Sequence, residues 1–285
     1  MKLAMVIDRI RVEEKMLYQA ARARGLNLSM VDSKDLSFNL IGQSLPEELK
    51  EVDVFIDRCV SHFRALHVSA ILEAKGKTVI NPYACAAICG NKLLTTLTLN
   101  RAGIPTPKTV VAFTREAALR AIEEYGYPVI LKPVVGSWGR LVSLVKDRET
   151  AEAILEHREH LFPLYQVFYI QEYVKRPPRD IRCFVVGDQV VAAIYRYAPS
   201  WDWRTNTARG GKALNCPVTD EIRELGLRAA KAVGGVFLGV DMMEGPEGLL
   251  VHEVNSVVEF RNSVPATGVD IPGLAVEYIA KTAKS

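Results

Sequence analysis

The stretch VILKPVVGSWGR, residues 129–140, ends an apolar strand on Lys132 and only then supplies Gly136 and Gly139. That order narrows the fold. A Walker A loop runs glycines first and lysine last, with the lysine opening a helix. Here the lysine closes a strand and the glycines follow, so the loop is the tip of a hairpin. The flanking patterns agree. TVVAF (109–113) reads as a strand, residues 114–126 as a helix and YPVILKPV (127–134) as a strand. After the loop, RLVSLVKD (140–147) reads as a strand, residues 148–161 as a helix and FYIQEYV (168–174) as a strand. The unit is β-α-β-β-α-β, with Thr114 and Asp147 suited to cap its two helices.

The blocks on either side have a different rhythm. Residues 2–8, 26–32, 52–58 and 77–82 read as strands, and residues 13–25 and 63–76 as helices closed by glycine. Alternation of this kind predicts a parallel sheet. An Ala-rich helical bridge follows and ends at the break IPTPK. Beyond residue 174, Gly187-Asp188 makes a two-residue hairpin turn. Residues 219–234 then form a helix and residues 236–255 a second hairpin. The expected organisation is α/β: a parallel-sheet domain over 1–82, a bridge over 83–106, a central subdomain over 107–174 and a C-terminal subdomain over 175–285.

Composition removes several classes. A net charge of +3 is too small to argue for nucleic acid. The apolar run at the start stops at Asp8, too early for a signal peptide. No apolar stretch reaches the length of a membrane span. Cys59, Cys85, Cys89, Cys183 and Cys216 form no C-x-x-C pair, which predicts a reducing cytoplasm rather than disulfides.

The second hairpin carries the acids. With GPEG as a three-residue loop, Gly245 pairs with Leu249, Met243 with Val251 and Asp241 with Glu253. Asn255 lies on the same face as Glu253. Opposed carboxylates roughly 5 Å apart repel unless a cation sits between them. Two carboxylates and an amide oxygen suit magnesium. The bland alternative is a pair of solvated acids, which the apolar neighbours on both faces disfavour. Asp180 and Arg182 share a strand face, and Arg196, Arg204, Arg209 and Arg261 follow, a set suited to phosphates, carboxylates or an acidic tail. Each alone is more often a solvated surface charge.

These pieces together resemble the ATP-grasp superfamily in its RimK-like branch. GSWGRLVSLV, YIQEYV, RDIRCFVVG, TNTARGG, EVNSVVEFRNS and TGVDIPG resemble the LysX group of ligases, over essentially the whole chain. The resemblance implies an ATP-grasp fold behind a pre-ATP-grasp domain. It also implies ligation of an amino acid to the C-terminal glutamate of a small acidic carrier protein, LysW, in lysine biosynthesis. ATP and magnesium, two ions, are implied, with a homodimer or homotetramer as the assembly. Lys92, Lys132, Gly136, Ser137, Trp138, Gly139, Arg140 and Leu141 would meet the nucleotide, the last six as a lid. Gln171, Glu172, Tyr173 and Val174 would hold adenine and ribose, and Asp180, Arg182 and Asn206 would also reach the nucleotide. Lys132, Arg182 and Arg209 would neutralise developing charge. Asp241, Glu253 and Asn255 would bind metal. Arg196, Glu259, Phe260, Arg261, Asn262 and Ser263 would bind the amino acid. Asn-Ser at 262–263 favours α-aminoadipate, whereas relatives of the ArgX type carry Gly-Phe there and take glutamate. The competing readings are an ArgX-type glutamate–LysW ligase of arginine biosynthesis, an enzyme that takes both amino acids, a RimK-like glutamate ligase acting on another protein and a non-catalytic nucleotide sensor.

Other residues are expected to be structural. His157 and His160 lie on a polar helix without metal-ligand spacing. His252 alternates away from Glu253 and should pack. Cys85 and Cys89, one helical turn apart, should sit in the core. Trp138, Trp201 and Trp203 admit either packing or contact roles.

Overall fold

A computed structural model describes residues 1–42, 44–207 and 210–282. The first block alternates as its sequence pattern predicts. Strands β1 (Lys2–Ile7), β2 (Asn27–Asp32), β3 (Val54–Asp57) and β4 (Thr78–Ile80) make a parallel sheet of order β2-β1-β3-β4. Helices α1 (Val12–Ala23) and α2 (His62–Ala74) cover it.

The bridge is two helices, α3 (Tyr83–Cys89) and α4 (Lys92–Arg101). Gly90 breaks them apart. A Cβ there would lie 1.9 Å from the His62 ring, so only glycine allows this approach. Asn91 caps α4 by accepting from Leu93 N and Leu94 N, which puts Lys92 at the first helical position.

The central unit holds β5 (Thr109–Ala112), α5 (Arg115–Tyr125), β6 (Val129–Lys132), β7 (Ser143–Val145), α6 (Arg148–Glu159) and β8 (Phe168–Glu172). Its sheet order is β5-β8-β6-β7, and β6 pairs antiparallel with β7, so the glycine loop is a hairpin connection. Thr114 and Asp147 cap α5 and α6 as predicted.

The third unit holds β9 (Arg179–Val186), β10 (Gln189–Tyr197), β11 (Lys212–Asn215), α7 (Asp220–Val233), β12 (Phe237–Gly245), β13 (Gly248–Asn255), α8 (Ser263–Thr267) and α9 (Ile271–Thr282). The sheet order is β11-β10-β9-β12-β13, antiparallel throughout. Period-two alternation divides β9 between two cores. Cys183 and Val185 face α7 and the bridge, while Phe184 and Val186 face α9 and the first sheet. Toward the start of β9 the latter face turns polar at Arg182 and Asp180, and this is where the site forms.

Buried polar contacts fix the first block against the third. Asn81 accepts from Val236 N and Phe237 N and donates to Phe237 O and Ser256 O, at 2.8–3.1 Å. Arg58, 1% exposed, donates to Glu14 Oε1 at 3.0 Å and to Val258 O at 2.9 Å. Burial opposes ionisation of Glu14, but Arg11 and Arg58 outweigh it and hold its carboxyl below the usual range. Glu14→Gln leaves two guanidiniums short of their counter-charge in the interior. The expected cost is about 3 kcal/mol at neutral pH, read from urea denaturation; a change under about 1 kcal/mol contradicts it.

Candidate active site

The three units enclose a cleft of about 690 Å³, within the range of small-molecule sites. Lys132 stands at the end of β6, 7% exposed, and donates to Gln171 Oε1 at 2.6 Å. Burial drives its pKa down to about 8, helped by Lys92 and opposed by Glu253. Lys92 donates from Nζ to Gly136 O at 2.8 Å and lies 3.5 Å from Glu253. Two lysines from different units therefore meet beneath the glycine loop.

The loop is tied down at several points. Arg204 donates to Gly139 O at 3.0 Å, and the buried Arg158 donates to Leu141 O at 2.6 Å. Trp138 Nε1 donates to Glu259 Oε1 at 3.2 Å, and Arg140 stacks 4.7 Å from the Trp138 ring. Trp138 and Leu141 both take φ near +55°. For residues with a Cβ that region costs roughly 1–2 kcal/mol each, which these contacts offset. The carbonyls given to Arg158 and Arg204 explain why the strand expected over 140–147 narrows to Ser143–Val145.

Across the cleft, neighbouring strands carry the charges. Asp241 on β12 faces Arg182 on β9 and Glu253 on β13, and Asp180 on β9 faces Arg196 on β10. Arg182 holds Asp241 through two bonds of 2.6 and 2.7 Å. Arg196 holds Asp180 through two bonds of 2.7 and 2.8 Å and lies 3.1 Å from Asp241. Asn255 Nδ2 donates to Asp241 Oδ2 at 3.3 Å. Burial opposes the Asp241 charge, but Arg182 and Arg196 overcome it and hold its carboxyl far below the ordinary range. Asp241, Glu253 and Asn255 supply hard oxygen donors side by side, a set that fits a divalent cation. Asp241 already takes two guanidiniums, so a metal ion there must displace part of that pairing.

The expected pairing of Asp241 with Glu253 is found, but the turn that produces it differs. Gly245 pairs with Gly248 around a two-residue loop, and Met243 pairs with Leu250, not Val251. A bulge between Asp241 and Met242 restores the register. The extra residue is His252, so the alternation expected to turn it away from Glu253 is broken. His252 lines the cleft beside Glu253. Neither ring nitrogen has a partner among the described residues. Burial, with Lys132 and Arg196 nearby, keeps the ring neutral by lowering its pKa well below normal. Buried nitrogens without partners, among Lys132, Arg176 and Arg196, fit a cleft shaped for a polyanion.

Most residues expected at the nucleotide line this cleft: Lys92, Lys132, Gly136 to Arg140, Gln171 to Val174, Asp180, Arg182 and Asn206. Leu141 does not, because its left-handed backbone gives its carbonyl to Arg158 and leaves the side chain 47% exposed. Arg209 lies outside the described residues. A second, small pocket adjoins the cleft, lined by Arg182, Arg196, Glu259, Arg261, Asn262 and Ser263. Phe260 turns instead into the core, 0% exposed and 5.9 Å from the Phe237 ring. Arg196, expected to meet the amino acid, lines the small pocket but is committed to Asp180 and Asp241.

Sequence reasoning missed Arg11 and Arg176, which also line the cleft; Arg204, noted with the basic set, lines it too. Arg11 follows the carboxyl end of β1, the end of a parallel strand where ligands gather. That position was a usable signal. Arg176 lies two residues beyond QEYV, within reach of a motif already noted.

Comparison with known proteins agrees with this geometry. Residues 89–279 match the RimK-like ATP-grasp domain, and residues 3–88 match the LysX preATP-grasp domain. The chain is 40% identical over 276 residues to the alpha-aminoadipate–LysW ligase LysX of Saccharolobus solfataricus, covering 96% of this chain and 99% of that one. It is 38% identical over 283 residues to the glutamate–LysW ligase ArgX of Sulfurisphaera tokodaii, covering 98% of each. A RimK domain ATP-grasp protein of Sphaerobacter thermophilus superposes with a TM-score of 0.81 at 27% identity, over 98% of this chain and 99% of that one. The strand-borne lysine, the glycine loop and the Asp241–Glu253 hairpin lie within the matched region, and the chain belongs to the RimK-like ATP-grasp family.

Proposed function

We propose that this chain joins the α-amino group of α-aminoadipate to the γ-carboxyl of the C-terminal glutamate of a LysW-type carrier protein, consuming ATP in lysine biosynthesis. The observation that carries this reading is the set of polar residues Glu259, Arg261, Asn262 and Ser263 gathered around a small recess beside the Arg182–Asp241 pair. At about 10 Å³ the recess has room for about one water, so an amino dicarboxylate must widen it; Arg261, Asn262 and Ser263 then suit its carboxylates and Glu259 its ammonium. Full-length similarity to LysX ligases supports the same substrate.

The reaction runs in two displacements. The carrier carboxylate oxygen attacks the γ-phosphorus of ATP and ADP leaves, giving an acyl phosphate. The neutral amine then attacks the acyl carbon, phosphate leaves, and the amine proton passes to solvent or phosphate. No covalent link to the enzyme is needed, and the five cysteines are buried and free. Lys132, Lys92 and Arg182 stabilise the charge that builds on the phosphoryl oxygens and orient them. The lid excludes water. Asp241, Glu253 and Asn255 would hold magnesium, which would supply charge neutralisation of the phosphates. Among the described residues no helix is long and apolar enough to cross a membrane, and an ATP-consuming biosynthetic ligase belongs in the cytoplasm.

Glutamate is the second reading, favoured by the 38% identity to ArgX ligases. Glutamate is one methylene shorter, a difference of about 1–3 kcal/mol in a pocket. The test is ADP release with purified carrier protein and each amino acid in turn. α-Aminoadipate should give the higher kcat/KM. Asn262→Gly with Ser263→Phe should move the ratio toward glutamate by about tenfold or more, by removing polar contacts and filling space. A parent that prefers glutamate assigns the chain to the second reading. An unchanged ratio in the double variant removes this pair from specificity.

A further inference from the structure

Three segments far apart in sequence meet at one carboxylate. Glu259 opens the loop that leads into Arg261, Asn262 and Ser263. Its Oε1 accepts from the lid through Trp138 Nε1 at 3.2 Å and from the first block through Arg11 Nη1 at 3.3 Å. Arg11 is itself held in place. Its Nε and Nη2 donate to Glu14 at 3.0 and 2.8 Å, and Glu14 is fully buried. Glu259 therefore rests on a guanidinium that Glu14 holds in place, and the glycine loop reaches the same carboxylate through its indole. Glu259 Oε2 has no partner among the described residues, so it remains for an incoming ammonium group.

The chemistry gives this junction a purpose. An acyl phosphate is open to water as well as to amine, and water attack wastes ATP. A lid tied to the loop that receives the amine keeps water out while that loop is in place. A lid tied only to its own subdomain has no such information.

We propose that Trp138 and Arg11 are positioning residues that share the Glu259 carboxylate as a latch, coupling the lid to the amino-acid loop and shielding the acyl phosphate. This rests on the reading of residues 259–263 as the amino-acid site. The indole N–H is the only lid bond to that loop among the described residues, and a bond to a charged acceptor is among the stronger kinds.

The test uses the full-length enzyme with ATP, carrier protein and amino acid. Trp138→Phe keeps a ring at this position and removes the N–H. ADP formed per amide bond formed should rise from near one to several. In parallel, trypsin cleavage after Arg140 in the presence of a non-hydrolysable ATP analogue should speed up by about tenfold, since cleavage follows the open population. Glu259→Gln keeps an acceptor for the indole and should raise cleavage less than Trp138→Phe. A Trp138→Phe enzyme with the parent's coupling ratio and the parent's cleavage rate overturns the latch. If the parent itself joins no amino acid to the carrier, the proposed function fails, while the cleavage comparison still decides the latch.

Discussion

Asp241→Asn should lower ligation by about 10³-fold or more while the chain still folds. The carboxylate sits at the centre of the charged network, 1% exposed, with Arg182, Arg196 and Asn255 on its two oxygens. Replacing it removes one member of the proposed metal set and leaves Arg182 without its anion. Losing one preorganised electrostatic group typically costs about 10²–10³ in rate, and the disturbed Arg182 adds to that. Folding suffers less, because Arg196 keeps both of its bonds to Asp180. The cost in stability should be about 2 kcal/mol, not the full price of an orphaned buried charge. Because the guanidiniums keep Asp241 ionised far into acid, it should contribute no inflection to the pH–rate profile near neutrality. The measurement pairs urea denaturation with ADP formation over a magnesium titration. Turnover within tenfold of the parent at limiting magnesium would remove Asp241 from the site.

Some parts of this molecule can be read from the chain because the constraint is local. Lys132 precedes its glycines, so a hairpin is forced and a Walker A loop is excluded. Thr114 and Asp147 each precede a helix at capping distance, and both cap. The Asp241–Glu253 pairing is also legible, though for an incomplete reason. A tight Gly245–Gly248 turn shifts the register by one and the bulge at His252 shifts it back. A sequence pattern counts residues and sees only the sum, so His252 is assigned to the wrong surroundings. Non-local contacts are harder still. Arg11 and Glu259 lie 248 positions apart, and nothing in either neighbourhood names the other. Phe260 shows the limit of a motif. EFRNS reads as one substrate segment, yet Glu259, Asn262 and Ser263 line a pocket while Phe260 fills the core between them.

Lys132→Met should weaken ATP use by about 10²–10³-fold in kcat/KM, since it removes a desolvated charge aimed at the phosphate region. The more discriminating expectation concerns protons. In the nucleotide-free chain, burial places the Lys132 pKa at about 8. Anionic phosphates favour the ammonium, so bound ATP raises that value. The sign follows directly. Below pH 8 the lysine is already charged and binding takes up little. Above pH 8 it is largely neutral, so binding draws a proton from solution and apparent affinity falls as pH rises. At pH 8.5 the uptake should approach roughly three-quarters of a proton per site. The same shift acts on folding. Burying the charged lysine opposes folding below pH 8, and that penalty fades as pH rises through 8 toward the ordinary lysine value. Titrating a non-hydrolysable ATP analogue calorimetrically at pH 8.5, in buffers of different ionisation enthalpy, reads the uptake. Lys132→Arg stays charged throughout, so it should bind with little uptake and a flat pH dependence. Parent uptake near zero, or equal uptake in Lys132→Arg, would show that this lysine is not the group that meets the phosphates.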